Sequence, residues 1–318
     1  MRPILHALDV SGVPVIIRRI MHDAFKPDEL PPPRQVDYDS LNAATSETPF
    51  VREGFELLKD AMVVLTTVAG LRTPTQAAGL DRNHAIIVGH YARSIKLMKS
   101  LVRQVADGHG GDQQISINRE FMDSLSTVMY LLADPGDGSR FDSYVMDSLV
   151  AEREFLKDVR TQIAGREDVV LPIEERINRS IHETLSAAGV KEEDIPSRKI
   201  NGWPNAQTRL ELLGPTAYAA YRTGSGAVHG SFNDIYKHHL EQVDGGFEIE
   251  LRQQPFRPQP LLSMALLSLI TLDDYSKKFL GMPLPEAIAS RRTELLRTLY
   301  RVDELHEKWL NDRRSEQP

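Results

Sequence analysis

FVREGFELLKDAMVVLTTVAGL, Phe50 to Leu71, carries Phe55, Leu58, Met62, Leu65 and Val68 at steps of three and four residues. That step is the period of one helix face, so the stretch predicts a buried amphipathic helix. The same spacing extends outward in both directions. It predicts helices over Asp81 to Val105 with Asp81 as N-cap, Ser116 to Leu132, Phe141 to Ala164, and Ile173 to Ala188 with Gly189 as C-cap. Further helices are predicted over Leu213 to Ala227, Pro260 to Phe279 and Pro285 to Leu310. KEEDIPSRKINGWPN reads as an irregular polar connection, and GGFEIELRQQP is the one stretch with strand-like alternation. The expected fold is therefore all-α: a multi-helix bundle with at most one short strand, which excludes the parallel-sheet nucleotide folds.

Toward the N-terminus, Leu5, Leu8, Val13, Ile16, Ile17 and Ile20 have helical spacing, interrupted at Gly12 and Pro14. Pro31, Pro32 and Pro33 come next in KPDELPPPRQVDYDS, a stiff extended linker. The expected organisation is an N-terminal helical arm and linker over 1–40 and a bundle domain over 41–318. The arm would dock on the body or on a second subunit.

The chain has 318 residues, 41% apolar and 26% charged, with net charge −7, pI about 5.8 and no cysteine. The acidic balance argues against a broad basic face for duplex DNA. Without cysteine there are no disulfides, thiolate zinc sites or Cys nucleophiles. His6, Asp9 and Arg18 break any apolar leader core, and LLSMALLSLITL, Leu261 to Leu272, is too short to cross a bilayer. These features predict a soluble, cytoplasmic protein with no membrane partner. No phosphate-binding GxxxxGK[ST], HExxH, GxSxG or EF-hand pattern occurs, and no cofactor or metal is expected. His238 and His239 are adjacent, so on a helix they diverge by about 100° and make poor co-ligands.

The polar stretch YRTGSGAVHGS, Tyr221 to Ser231, interrupts this apolar plan. Tyr221, Ser225 and His229 recur every four residues, and Arg222 and His229 are seven apart. On a helix these side chains share one slowly rotating stripe, with Arg222 and His229 within about 20° of each other. Gly224 and Gly226 leave that stripe open to close approach. Gly230 then ends the helix, and Ser231 caps the next element. One reading is a phosphate site in which Arg222 holds a phosphodiester through its planar fork and His229 moves a proton. Histidine titrates near physiological pH, and without a metal such a pair suits RNA, whose 2′-hydroxyl is an internal nucleophile. Tyr221 and Ser225 would orient the pair. The other reading is packing: small residues for a tight helix contact, with His229 satisfied by a carbonyl and Arg222 by a carboxylate.

Two upstream stretches bear on this choice. In NREFMDSLSTVMYLL, Arg119 and Glu120 open an apolar helix, either as orienters beside His229 or as a surface ion pair. Along NHAIIVGHYARSIKLMKSLVRQV, His90, Arg93, Lys96, Lys99 and Arg103 form a basic stripe. It is either a solvated face or a track for a nucleic-acid backbone.

Together these stretches resemble a bacterial family of helical proteins known only as a domain of unknown function. Its pattern is an Arg-x-Leu-x-Glu-like helix succeeded far downstream by Tyr-x-x-x-Ser-x-x-x-His-Gly-Ser. Tyr221, Ser225, His229, Gly230 and Ser231 match the downstream part, and Arg119 matches upstream, while Glu120 comes directly after Arg119 instead of at the family spacing. The resemblance covers roughly Asn83 to Phe279. More loosely, Arg222-x6-His229 resembles the Arg-x4–6-His signature of HEPN domains. That resemblance implies a helical, homodimeric, metal-independent endoribonuclease of the toxin or phage-defence kind, with Arg222 and His229 catalytic and Tyr221, Ser225, Ser231, Arg119 and Glu120 supporting. The alternatives are a non-catalytic helical sensor that binds a partner protein, and a degenerate HEPN fold that binds nucleotides without cutting.

Overall fold

The computed structural model describes residues 30–73, 79–197, 200 and 202–315. Its regular structure is helical, apart from one two-stranded antiparallel hairpin among the described residues. The helical arm expected around Leu5 to Ile20 lies outside the described residues. From residue 30 to Asp37 the chain is neither helix nor strand, as the three prolines require. This linker is nonetheless anchored. Arg34 holds Glu53 with two hydrogen bonds of 2.8 Å, and the buried Arg291 donates to the Pro32 carbonyl at 3.1 Å and to Asp60 at 2.9 Å.

The described residues divide into two compact units. The larger takes the described residues up to Leu80, then His84–Leu132, and then the chain from Ala206 onward. The smaller takes Asp81–Asn83 and Ala133–Asn205. The helices run α1 (Tyr38–Asn42), α2 (Thr48–Gly70), α3 (Arg82–Asp107), α4 (Gln114–Ala133), α5 (Gly138–Ala164), α6 (Pro172–Ala188), α7 (Ala206–Leu210), α8 (Ala217–His229) and α9 (Phe232–His238). After the hairpin strands β1 (Leu240–Val243) and β2 (Gly246–Ile249) come α10 (Pro258–Ile270) and α11 (Glu286–Ser315).

The core of the larger unit is α2 packed against α10, with α11 across both. Phe55, Leu58, Met62, Leu65 and Val68, the residues that predict α2, are all buried. Leu261, Leu262, Met264, Ala265, Leu267 and Leu269 of α10 are buried around its circumference, as expected of a helix without a polar face. No described helix is long and apolar enough to cross a membrane. Between α10 and α11 the chain forms a π-helical turn, Tyr275–Phe279, where the Tyr275 hydroxyl and the His84 ring nitrogen lie 2.6 Å apart inside the core. In the smaller unit α5 and α6 pack side by side. Asp137 caps α5 through Ser139 N–H, and Gly189 (φ 67°) ends α6.

The expected strand in GGFEIELRQQP is β2, and it has a partner, Leu240–Val243, that the alternation rule does not find. Only Leu240 and Val243 of β1 are apolar, so its pattern is weak. The local signal for the pair is Asp244-Gly245, with Gly245 at φ 96°, a dipeptide that favours two-residue hairpin turns.

Candidate functional site on the motif helix

Helix α8 carries Tyr221, Arg222, Ser225 and His229. Ala217, Ala219, Ala220 and Ala227 supply helix propensity that offsets the two glycines. Gly230 adopts the left-handed conformation (φ 59°), and the Ser231 amide closes the helix onto the Gly226 carbonyl at 3.0 Å. Ser231 then caps α9, its hydroxyl accepting from Asp234 N–H at 3.3 Å. That hydroxyl is committed to helix geometry.

The glycines have separate jobs. A Cβ on Gly224 would lie 2.7 Å from Arg119 Cβ and 3.1 Å from the Ile115 carbonyl oxygen, so α8 approaches the backbone of α4 here. A Cβ on Gly226 would meet only the Ser231 side chain, its hydroxyl at 2.9 Å. Gly224→Ala is therefore expected to destabilise the fold, because overpacking costs about 1–3 kcal/mol, more than the roughly 1 kcal/mol helix-propensity gain. Gly226→Ala is expected to be nearly neutral, that gain offsetting a disturbed cap worth about 1 kcal/mol. Urea midpoints of the two variants check the contrast.

This close approach brings Arg119 onto the motif. Its Nε donates to Ser225 Oγ at 3.1 Å, and its guanidinium sits 4.6 Å from the centre of the Tyr221 ring. Two sequence segments 106 residues apart thus meet in one contact. No described carboxylate pairs with Arg119, and its two terminal nitrogens have no acceptor among the described residues. By helix geometry Arg222 and His229 project about 40–60° beyond Ser225, away from α4. Both are exposed, and neither makes a hydrogen bond or ion pair with a described residue.

Glu120 is engaged elsewhere. Its carboxylate pairs with Arg93 at 3.0 Å, and Arg93 also donates to the Glu120 carbonyl at 2.9 Å and to Ser124 Oγ. Of the predicted basic stripe, Arg93 is thereby consumed in joining α3 to α4. Lys96 and Arg103 remain exposed and Lys99 half-exposed, with burial and the neighbouring Lys96 pulling the Lys99 ammonium below its usual range.

Behind the motif lie two residues that the spacing argument does not find. Arg209 of α7, buried, pairs with Asp123 of α4 at 2.9 Å. Asp123 is one turn beyond Arg119, and that i,i+4 relation is the only sequence signal for it. Burial, and then the Asp123 charge, raise the Tyr221 phenol above its usual range. Burial, reinforced by the charge of Arg93, pushes the nearby His90 down to about 4. In the α2–α11 core, burial raises Asp60 to about 6 against the pull of Arg291.

His90 and Asp60 act on stability with opposite signs. The folded His90 binds its proton later than the unfolded one, so the stability it contributes is present above about pH 6.5 and lost as pH falls toward 4. The folded Asp60 binds its proton earlier, so stability is gained as pH falls from about 6 toward 3.8. Each effect is worth up to about 3 kcal/mol. The stability of wild type minus that of His90→Gln is expected to fall on acidification across the first window. For Asp60→Asn the same difference is expected to rise across the second. Urea unfolding at a series of pH values reads both.

No three His, Asp or Glu side chains among the described residues are grouped as a metal site. The His238 and His239 rings lie 6.5 Å apart between centroids at 73°, with His239 just past the end of α9.

A protein-family model described as a family of unknown function, DUF5677, matches residues 84–247. The chain belongs to this family. The DUF5677 segment runs from the start of α3 to β2, and so contains both Arg119 and the motif helix. No curated protein and no solved structure matches the chain.

Proposed function

We propose that this protein binds the phosphodiester backbone of RNA at Arg119 and Arg222 and cleaves it with His229, as a HEPN-like, metal-independent endoribonuclease. One observation carries the reading: Arg119 meets the motif helix at Ser225 and Tyr221, and neither it nor the exposed Arg222 and His229 of that helix is neutralised by a described carboxylate. Structural arginines at a helix contact are ordinarily paired, as Arg93 and Arg209 are here. An unpaired, partly buried Arg119 whose Nε donates to Ser225 and whose guanidinium lies over the Tyr221 ring is preorganised for an anion.

In the cleavage step, His229 takes the proton from the 2′-hydroxyl as its oxygen attacks the adjacent phosphorus. The bond to the 5′-oxygen breaks, leaving a 2′,3′-cyclic phosphate, and a proton is returned to the departing 5′-oxygen. Arg222 and Arg119 stabilise the charge that develops on the non-bridging oxygens. Cytoplasmic action, a homodimer and a role in defence or toxicity belong to this proposal.

A second reading has its own support. The His229 ring has no described partner to fix its tautomer, which catalytic histidines ordinarily have. Arg119 and Arg222 would then bind a nucleotide or RNA without cutting it. The deciding experiment is cleavage of varied RNAs with EDTA present, comparing wild type with His229→Ala. Equal cleavage by both overturns the nuclease, and binding without cleavage by wild type supports the second reading.

A further inference from the structure

Immediately beyond the motif, α9 and the hairpin expose a group of aromatic side chains. Phe232 is 72% exposed, Phe247 52% and Tyr236 39%. The rings form one cluster: Phe232 and Tyr236 lie nearly parallel (16°) with centroids 6.1 Å apart, and Phe247 stands edge-on to Tyr236 at 6.0 Å. The Tyr236 hydroxyl donates to Gln242 Oε1 at 3.3 Å, which ties α9 to β1 and fixes the ring. Phe232 is three residues beyond His229, so their Cα atoms are at most about 11 Å apart.

Charge is sorted around this cluster. Strand alternation puts Leu240, Gln242, Phe247 and Ile249 on the hairpin face that meets Tyr236, and Glu241 and Glu248 on the opposite face. Glu250 is held by Arg252, and Asp234 faces His239 at 3.8 Å. Lys237, exposed on α9, has no partner among the described residues. Exposed flat rings near the unpaired Lys237, with Glu241 and Glu248 on the far hairpin face and Glu250 held by Arg252, suit single-stranded nucleic acid. Every base has a π-face to stack, and the backbone needs positive charge.

We propose that Phe232, Tyr236 and Phe247 form a base-stacking platform for single-stranded RNA, taking the bases that flank the phosphate held at Arg119 and Arg222. This rests on the RNA reading above and adds to it the substrate class: an unpaired strand, because a duplex buries the π-faces the platform takes.

The test is fluorescence anisotropy with a 5′-labelled oligonucleotide made uncleavable by 2′-O-methylation, alone and annealed to its complement. Phe232→Ala is expected to weaken single-strand binding about tenfold. Phe232→Leu, which keeps the apolar contact but has no π-face, is expected to weaken it nearly as much. Val169→Ala, which removes an exposed apolar side chain of the smaller unit, and duplex affinity are expected to be unchanged. Wild-type affinity in Phe232→Leu overturns the platform. So does a fall in particle mass by light scattering in Phe232→Ala with unchanged RNA affinity, which would make the patch a protein interface. Binding through Phe232 without cleavage leaves the platform standing and removes the nuclease. Cleavage that persists with unchanged affinity in Phe232→Leu does the reverse.

Discussion

His229→Ala is expected to lower RNA cleavage by about 10²–10⁴-fold, the usual contribution of a positioned general acid or base. Single-turnover cleavage of labelled RNA in the presence of a chelator measures it. The structure makes the variant clean. His229 is exposed and holds no described partner, so its removal costs the fold no more than about 0.5 kcal/mol, as for other surface substitutions. Affinity for uncleavable RNA is expected to stay within a few-fold, because Arg119 and Arg222 remain. Arg222→Ala behaves differently, losing affinity and rate together, since its guanidinium holds the phosphate before and during reaction. A rate unchanged in His229→Ala removes the imidazole from the chemistry.

Gly111→Ala is expected to be the most destabilising single methyl addition in the described chain. Gly111 is buried in the short turn before α4, and a Cβ there would fall 1.9 Å from the Gln254 carbonyl oxygen and 2.8 Å from its carbon. Both obstacles are backbone and cannot rotate aside. The two segments are also laced together. Gly110 N–H donates to Gln253 Oε1 at 2.5 Å, and Gln254 N–H donates to Asp112 at 3.1 Å. Gln114 and Arg257 exchange hydrogen bonds of 2.7 and 2.9 Å. Pushing the segments apart strains these bonds as well, so the expected loss is about 3–5 kcal/mol, overpacking plus weakened hydrogen bonds. Gly89→Ala is the control. It lies exposed in α3 with nothing within 4 Å of the added Cβ, and is expected to gain about 0.5–1 kcal/mol from helix propensity. Guanidinium unfolding of both variants gives opposite signs.

Helix positions were legible because a buried helix face repeats every three to four residues, and α2, α6 and α8 lie within a few residues of where that period puts them. The end of α8 was legible for a local reason: Gly230 and Ser231 do there what glycine and serine do at helix ends generally. The hairpin was half legible, since β2 alternates and β1 does not. The packing alternative for YRTGSGAVHGS is met at Gly224, where α8 touches α4. It is not met at His229 or Arg222, which have neither the carbonyl nor the carboxylate it requires among the described residues.

The sequence by itself determined that the chain is helical, where α8 ends, and that Tyr221, Ser225, His229 and Arg222 share a stripe. All three arise from interactions within about eight residues, which the period of the helix dictates. Only the tertiary structure decided that Arg119 lies on that stripe while its neighbour Glu120 turns to Arg93. It also decided that Asp123 serves Arg209, and that Gly224 and Gly111 are the points of closest approach. Those pairings join residues 27 to 143 apart in the chain. Their partners are chosen by which helices the apolar faces bring together, a choice no local period records.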